Sequence, residues 1–265
     1  MSAAKRSRSK KSEPQKSGSP RSGARPAAAR AGGTGASGKA RRGPVRRLIR
    51  VVLLAVLIAI AVPVVLVPVY ALVPPPFSTL ELWQRITGVS VRKDWVPMDE
   101  IAPDLAYAVI MAEDGKFCDH AGVDWSAVRE VLDSDSARGA STITMQIAKN
   151  LFLWPSRSYL RKGLEVPLAY WMNLVWTKRR TIEIYLNIVE WGPGVFGAEA
   201  AAQHWFGVPA SKLSRRQASL LVAILPNPNA RSASRPGPFT NRYAATIERR
   251  TRQAGAYVKC IQPKK

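Results

Sequence analysis

The chain has 265 residues, a formal net charge of +22 and a hydrophobic content of 46%. This length and apolar content suit one main domain with a packed core. A high positive charge is typical of nucleic-acid binding, but 15 of the 40 Lys and Arg residues lie within residues 1–50, beside a single acidic residue. The excess charge is concentrated at one end of the chain, so we do not expect nucleic acid to be a partner.

Residues 1–47 are rich in Ser, Gly, Pro, Ala and Arg and contain no aromatic residue. Such a segment buries too little apolar surface to offset the entropy lost on ordering. We therefore predict a disordered basic tail over residues 1–47.

Residues 51–73 contain no charged and no strongly polar side chain. About 20 helical residues cross the hydrocarbon core of a bilayer, so we predict a transmembrane anchor over residues 48–73. A cleaved signal peptide is the alternative. The apolar run is longer than a typical signal core, however, and Pro74–Pro76 follows it instead of a small-residue cleavage site. Basic residues before the anchor predict a cytoplasmic N-terminus, with the rest of the chain outside the cytoplasm.

The remaining sequence predicts a linker leading into the domain over residues 74–98 and a helical extracytoplasmic domain over residues 99–265. Leu105, Val109 and Ile110 lie on one face of a helix that ends near the acidic pair Glu113 and Asp114. Strand signals are weak, so we predict an all-α fold preceded by one transmembrane helix.

Three further helices are indicated within this domain. An amphipathic pattern over residues 177–192 predicts a helix closed by Gly192. Ser214 and Gln217 have the spacing of a capping box and begin a buried helix. A last helix is predicted over residues 241–258.

Residues 112–125, AEDGKFCDHAGVDW, combine four carboxylates with one of the chain's two histidines. The segment could bind a metal, carry out acid/base chemistry, or be a polar helix end. A carboxylate at a helix C-terminus opposes the helix dipole, which argues against a mere helix end. No Cys/His pair has zinc-finger spacing and no closed ligand set is present, so we predict no metal site.

Two segments after this one supply positive charge, over residues 138–154 and 157–165. A carboxylate beside concentrated positive charge suits glycosyl transfer. The carboxylate takes a proton from an attacking hydroxyl, and the cations stabilise an anionic leaving group such as a diphosphate. Paired carboxylates also serve glycoside hydrolysis, so a lytic enzyme is an alternative.

Four segments in order resemble the motifs of the peptidoglycan glycosyltransferases. Residues 113–124 resemble EDxxFxxHxGxD, residues 139–150 resemble GxSTIxQQxxKN, residues 161–165 resemble RKxxE, and residues 178–192 resemble the fourth motif. The resemblance extends over roughly residues 95–230. Because the chain ends at residue 265, we expect the monofunctional biosynthetic peptidoglycan transglycosylase type of glycosyltransferase family 51.

The resemblance implies a lysozyme-like helical fold and polymerisation of lipid II into glycan strands, with inversion at the donor anomeric carbon and release of polyprenyl diphosphate. It implies two catalytic glutamates: Glu113 is the general base for the acceptor hydroxyl, and Glu165 lies near the departing diphosphate and the acceptor. Donor phosphates and sugar are expected at Ser141, Gln146, Lys149, Arg157 and Arg161. Structural support of the site is expected from Asp114, His120, Asn150 and Asn187.

The sequence departs from the family pattern at two positions. Met145 replaces the first of two paired glutamines. Pro167 follows Glu165 by two residues, which predicts that the helix begins near residue 166 or bends there.

We expect a single-pass protein of the bacterial cytoplasmic (inner) membrane that acts on lipid II and the growing glycan strand. Other cell-wall synthesis proteins are further candidate partners, and the apolar residues 151–154 favour a membrane-facing loop. No cofactor is required; a divalent cation is compatible with diphosphate chemistry but is not indicated by the sequence. The alternatives are a lysozyme-like lytic enzyme and a non-catalytic cell-wall scaffold. An oxidising compartment permits a disulfide between Cys118 and Cys260, but the sequence does not place them in contact.

Overall fold

The structure is a computed structural model that describes residues 44–133, 139–156 and 158–262. The predicted tail therefore lies outside the described residues except for residues 44–47. Arg157, one of the predicted substrate-binding residues, also lies outside them. The described residues from Leu48 onward form one compact unit.

The apolar segment is a single helix, α1 (Pro44–Tyr70), which includes Pro63 and Pro68. Its 27 residues extend about 40 Å at about 1.5 Å per residue. Its mean hydropathy is 3.1, and within the described residues it is the one helix long and apolar enough to cross a membrane. Most of its side chains are exposed, so α1 fits a transmembrane helix. It begins four residues before the predicted start at residue 48 and ends three residues before the predicted end at residue 73.

The C-terminal end of α1 is bonded to the rest of the unit. The indole Nε1 of Trp176 donates to the carbonyl of Val67 at 2.7 Å, and Arg180 Nε donates to the carbonyl of Tyr70 at 3.0 Å. The ring of Tyr70 stacks on Phe152 with a centroid separation of 6.2 Å. The last turns of α1 are therefore part of the folded unit.

The predicted linker over residues 74–98 is also folded. It contains α2 (Thr79–Ile86) and strand β1 (Arg92–Lys93). Glu81 of α2 is fully buried and pairs with Lys93 Nζ at 3.0 Å. The same ammonium group donates to the carbonyl of Pro75 at 3.2 Å. This buried ion pair fastens the segment between α1 and the helical domain.

Helices form most of the domain, which confirms the all-α prediction. The α-helices after α2 are α3 (Pro103–Glu113), α4 (Trp125–Asp133), α5 (Ile143–Phe152), α6 (Tyr159–Val175), α7 (Lys178–Ile188), α8 (Ala198–Phe206), α9 (Arg215–Ile224) and α10 (Pro238–Arg252). Short 3-10 helices cover Met98–Glu100, Ala210–Lys212 and Gly255–Ile261. Helix α3, which ends at Glu113, packs against α9 and α10, while α5 packs against α6 and α7.

A small three-stranded sheet interrupts the helices, and its other two strands are β2 (Glu190–Gly192) and β3 (Val195–Phe196). The strand order is β1-β3-β2: β3 pairs antiparallel with β2 and parallel with β1. The prediction that this helix continues to Gly192 is therefore wrong beyond Ile188, because the chain leaves the helix there and pairs with β3.

Other helix boundaries are partly as predicted. The capping box of Ser214 and Gln217 at the start of α9 is confirmed. Helix α6 starts at Tyr159 and continues through Pro167, so it does not begin near residue 166. Helix α10 spans Pro238–Arg252, three residues earlier at its start and six residues earlier at its end than predicted.

Candidate active site

Glu113 is the last residue of α3, and two side chains from other helices orient its carboxylate. Gln146 of α5 donates from Nε2 to Glu113 Oε2 at 2.9 Å. The hydroxyl of Tyr185, in α7, donates to the amide oxygen of Gln146 at 3.0 Å. An amide whose oxygen accepts from Tyr185 must present its nitrogen to Glu113. The direction of this hydrogen-bond chain is therefore fixed.

The environment of Glu113 favours a stronger base than an exposed carboxylate. Burial raises the pKa of Glu113, and the nearby charge of Asp114 raises it further. The hydrogen bond from Gln146 and the ammonium of Lys149 partly offset this rise in pKa. Burial also raises the pKa of Tyr185 well above its usual value, so its hydroxyl keeps the proton that it donates to Gln146. A carboxylate whose pKa is raised in this way is a better proton acceptor than an ordinary glutamate.

Asp114 connects the end of α3 to the start of α5. Its Oδ2 accepts the backbone N–H of Ile143, the first residue of α5, at 3.0 Å. A carboxylate at this helix end also interacts favourably with the helix dipole. Its Oδ1 lies 2.8 Å from His120 Nε2, while the other ring nitrogen of His120 accepts the N–H of Gly122 at 3.1 Å. Asp114 and His120 therefore hold the turn that follows Glu113.

Gly122 is needed at the close of this turn. Its φ is +96°, and a Cβ at this position would lie 2.5 Å from the carbonyl oxygen of Ala169 in α6. Only glycine fits both the backbone conformation and the space. The carbonyl of Gly122 accepts from Thr142 Oγ1 at 2.6 Å, and Thr142 also caps α5 by accepting from Met145 N.

Helix α7 holds the same turn from a second side. Lys178 Nζ donates to the carbonyl of His120 at 2.7 Å and lies 4.7 Å from the ring centroid of Phe117. Burial lowers the pKa of Lys178, while the charges of Asp114 and Asp119 act in the opposite direction. This contact gives the fourth motif a role in positioning the first.

Glu165 is buried in α6 and is paired with two cations from the preceding turn. Arg161 Nη1 donates to its Oε1, and Lys162 Nζ lies 3.0 Å from its Oε2. Lys162 Nζ also donates to Ser141 Oγ, which joins the second and third motifs. Since α6 starts at Tyr159, Arg161 and Lys162 lie one helical turn before Glu165. The proline at 167 does not displace Glu165 from this cluster.

Lys149 interacts electrostatically with both glutamates. Burial lowers the pKa of Lys149, as do the positive charges of Arg161 and Lys162, whereas Glu165 and Glu113 raise it. With Asn150 and Arg161, Lys149 lines a cavity of about 270 Å³. The apolar wall of that cavity is formed by Leu80, Leu153 and Pro155.

A larger cavity of about 600 Å³ lies at Glu113. The predicted residues Ser141 and Gln146 line it, together with Tyr243 and Arg250 of α10. Neither α10 residue was predicted from the sequence, because both lie outside the four motifs. Tyr185 and Lys162 were not predicted as members of the site either, although each belongs to a motif segment.

The predicted residue Asn187 lines neither of these two cavities. Asn187 is fully buried and bonds both backbone groups of Val96, donating to its carbonyl at 2.9 Å and accepting from its N–H at 3.0 Å. It therefore fixes the segment before α3. Over the described ranges, no group of three or more His, Cys, Asp and Glu residues is arranged to hold a metal ion.

These features define a class of protein: a helical domain, preceded by a membrane-compatible helix, with a cleft that places a basic carboxylate near a cluster of cations. Comparison with known proteins identifies the family. The family model described as Transglycosylase matches residues 81–253. Since this match spans more than half of the chain, the chain belongs to that family, which confirms the resemblance of its motifs.

Curated relatives agree with this assignment. A biosynthetic peptidoglycan transglycosylase of Agrobacterium fabrum is 56% identical over 206 residues, covering 75% of this chain and 90% of the relative. A protein of the same name from Rhodopseudomonas palustris strain HaA2 is 51% identical over 213 residues, covering 78% of this chain and 93% of the relative.

Proposed function

We propose that the protein is a peptidoglycan glycosyltransferase that polymerises lipid II into glycan strands. One observation carries this conclusion beyond family membership. The half-buried carboxylate of Glu113 is oriented by Gln146 and interacts electrostatically with Lys149, which also interacts with Glu165 and its two cations. A base and a set of cations that interact electrostatically match the two charge changes of glycosyl transfer: the acceptor hydroxyl loses a proton, and the diphosphate departs with an electron pair.

In the proposed reaction, Glu113 takes the proton from the acceptor 4-hydroxyl as that oxygen bonds to the donor anomeric carbon. The bond from this carbon to the diphosphate oxygen breaks, and the leaving group departs with its electron pair. Direct displacement inverts the anomeric configuration. The proton on Glu113 then passes to solvent, which restores the base.

The cations act on the leaving group. Lys149 and Arg161 line a cavity that also has an apolar wall of Leu80, Leu153 and Pro155. Charge-assisted hydrogen bonds from an ammonium and a guanidinium suit a diphosphate, and the apolar wall suits the start of its polyprenyl chain. In this proposal Glu165 holds Arg161 and Lys162 in place and keeps the cluster from carrying an unbalanced positive charge. Ser141 is fixed by Lys162.

We also propose that α1 crosses the bacterial cytoplasmic membrane with the N-terminus inside and the catalytic domain outside. Two independent features support this topology. Basic residues precede the apolar run, as expected for a cytoplasmic flank. Cys118 and Cys260 are joined by a disulfide with a Cα–Cα distance of 5.6 Å, and disulfides persist in oxidising compartments such as the periplasm.

The test is polymerisation of labelled lipid II by the full-length protein in detergent. Wild type should convert it to long glycan strands, whereas Glu113→Gln should lower the rate by at least about a hundredfold, the range expected for loss of general base catalysis. The matched control is Asp119→Asn, which removes an exposed carboxylate from the same turn and should keep the wild-type rate. Shortening of preformed glycan without polymerisation would establish a lytic enzyme instead. A Glu113→Gln variant as active as wild type would refute the base assignment.

A further inference from the structure

Helix α10 contributes one wall of the larger cavity, although none of the four motifs extends to it. Tyr243 and Arg250 both line this cavity of about 600 Å³ together with Glu113. They are seven residues apart, which is two helical turns, so they lie on the same face about 10 Å apart along the axis. The two side chains can therefore contact one extended ligand at two points.

The position of this face is set by the core. Four buried residues hold α10 against α3 and α9: Thr240, Ala244, Ile247 and Thr251. Because α3 ends at Glu113, the helix that presents Tyr243 and Arg250 packs directly against the helix that presents the base. The backbone positions of the three residues are therefore fixed relative to one another.

The two cavities differ in chemistry. The smaller cavity combines Lys149 and Arg161 with apolar side chains, which suits a lipid-linked diphosphate. The larger cavity combines the carboxylate of Glu113, the hydroxyl of Ser141, an aromatic ring and an exposed guanidinium. A ring face for stacking, surrounded by hydrogen-bonding groups, suits a saccharide and its polar substituents.

The electrostatics of Tyr243 support this geometry. Burial raises the pKa of the Tyr243 hydroxyl, the negative charge of Glu113 raises it further, and the positive charges of Arg250 and Arg231 lower it. The Tyr243 hydroxyl thus interacts electrostatically with both the base and Arg250.

We propose that Tyr243 and Arg250 bind the acceptor saccharide, the sugar whose hydroxyl Glu113 deprotonates. This inference rests on the proposed function and deepens it. Tyr243 offers its ring face and hydroxyl to the sugar next to Glu113. Arg250, two turns further along α10, donates to an acidic or carbonyl substituent of the same acceptor, for which the planar guanidinium fork is well suited.

The test measures initial polymerisation rates of the full-length protein against lipid II concentration for two pairs of variants. In the first, Arg250→Ala is compared with Arg249→Ala. Arg249 is the adjacent residue on α10 and is also exposed, but it is not among the described residues that line the cavity. Arg250→Ala should raise KM about tenfold, as expected for loss of one charge-assisted hydrogen bond, with a smaller change in kcat. Arg249→Ala should match wild type.

In the second pair, Tyr243→Phe keeps the ring and Tyr243→Ala removes it. We expect KM to rise in both variants and to rise more in Tyr243→Ala. Arg250→Lys keeps the charge without the fork and should lie between wild type and Arg250→Ala. Thermal unfolding of each variant establishes that the fold is intact, and Tyr243→Phe and Arg250→Lys are mild enough to be informative where an alanine variant unfolds.

The outcomes separate this inference from the proposed function. Equal KM values for Arg250→Ala and Arg249→Ala overturn the inference, as does a fall in kcat with no change in KM. Suppose that wild type polymerises lipid II, that Glu113→Gln does not, and that the KM comparison gives one of these results. The proposed function then stands, and only the assignment of Tyr243 and Arg250 to the acceptor is refuted. If wild type makes no polymer, the proposed function and the inference both fall.

Discussion

The carboxylate of Asp114 accepts the backbone N–H of Ile143 at 3.0 Å, so the turn after the base is bonded directly to the first turn of the helix that carries Gln146 and Lys149. The first and second motifs therefore form one hydrogen-bonded unit. Residues with no direct part in proton transfer determine where Glu113 lies relative to the cations.

This relationship predicts coupled effects on stability. Asp114→Ala leaves a helix-terminal N–H and His120 without their acceptor, and should lower the free energy of unfolding by about 1–3 kcal/mol. His120→Ala should lower the free energy of unfolding by less, because the N–H of Ile143 keeps its acceptor. Since the two side chains are bonded to each other, a double-mutant cycle should give a coupling energy of about 0.5–3 kcal/mol. Chemical denaturation measures this, and additive effects would contradict it.

The hydrogen bond from Gln146 to Glu113 predicts a shift in the pH dependence of polymerisation. Activity requires ionised Glu113, so it is present above the pKa of this group and is lost as pH falls through it. The hydrogen bond from Gln146 lowers that pKa, so Gln146→Leu should raise the pKa of Glu113 and move the acidic limb of the pH profile to higher pH.

Tyr185→Phe is the matched variant for this pH profile. It keeps the amide of Gln146 but removes the hydroxyl that orients it, so its acidic limb should move in the same direction by a smaller amount. An acidic limb that is unchanged in Gln146→Leu would show that Glu113 is not the group that titrates.

The two cations that pair with Glu165 should differ in their contribution to stability. The Arg161 side chain is 10% exposed and that of Lys162 is 41% exposed. Arg161→Ala leaves a buried carboxylate with weaker compensation and should cost about 3–5 kcal/mol. Lys162→Ala removes a partly solvated partner and should cost about 1 kcal/mol or less. Equal losses in the free energy of unfolding would contradict this difference in burial.

The disulfide predicts a redox-dependent stability. Cys118 and Cys260 are 142 residues apart in sequence, and closing a loop of this length stabilises the native state by about 4–5 kcal/mol in the chain-entropy model. Reduced wild type and the double variant Cys118→Ala/Cys260→Ala should unfold at similar, lower denaturant concentrations. Adding reductant should not change the denaturant concentration at which the double variant unfolds. A shift in that concentration would contradict the assignment of the redox effect to the Cys118–Cys260 disulfide.

Features that depend on local sequence could be predicted. The capping box of Ser214 and Gln217 and the end of α3 at the acidic pair follow from side chains that act within one or two helical turns. The end of α7 could not be predicted, because Glu190–Gly192 leaves the helix to pair with a strand that no local signal indicates. Tertiary pairing outweighs helical periodicity there.

The site follows the same division. The motif resemblance assigned Glu113, Ser141 and Lys149 to one site. In the structure Ser141 lines the cavity at Glu113, and Lys149 interacts electrostatically with Glu113. The resemblance gave Gln146 only a substrate-binding role, whereas the structure bonds its side chain to Glu113 and Tyr185. The contributions of Tyr243 and Arg250 depend on the packing of α10 against α3, across more than a hundred residues of sequence. The pairing of Cys118 with Cys260 likewise requires the folded chain.

The bonds from Trp176 and Arg180 to the last turns of α1 have a practical consequence for preparing this protein. A shortened version that starts at residue 74 would strip the cover from Phe152 and leave the Trp176 indole N–H without its acceptor, next to an apolar surface newly open to water. Such a version should aggregate more readily than the chain that keeps α1, because the last turns of this helix cover an apolar surface of the domain.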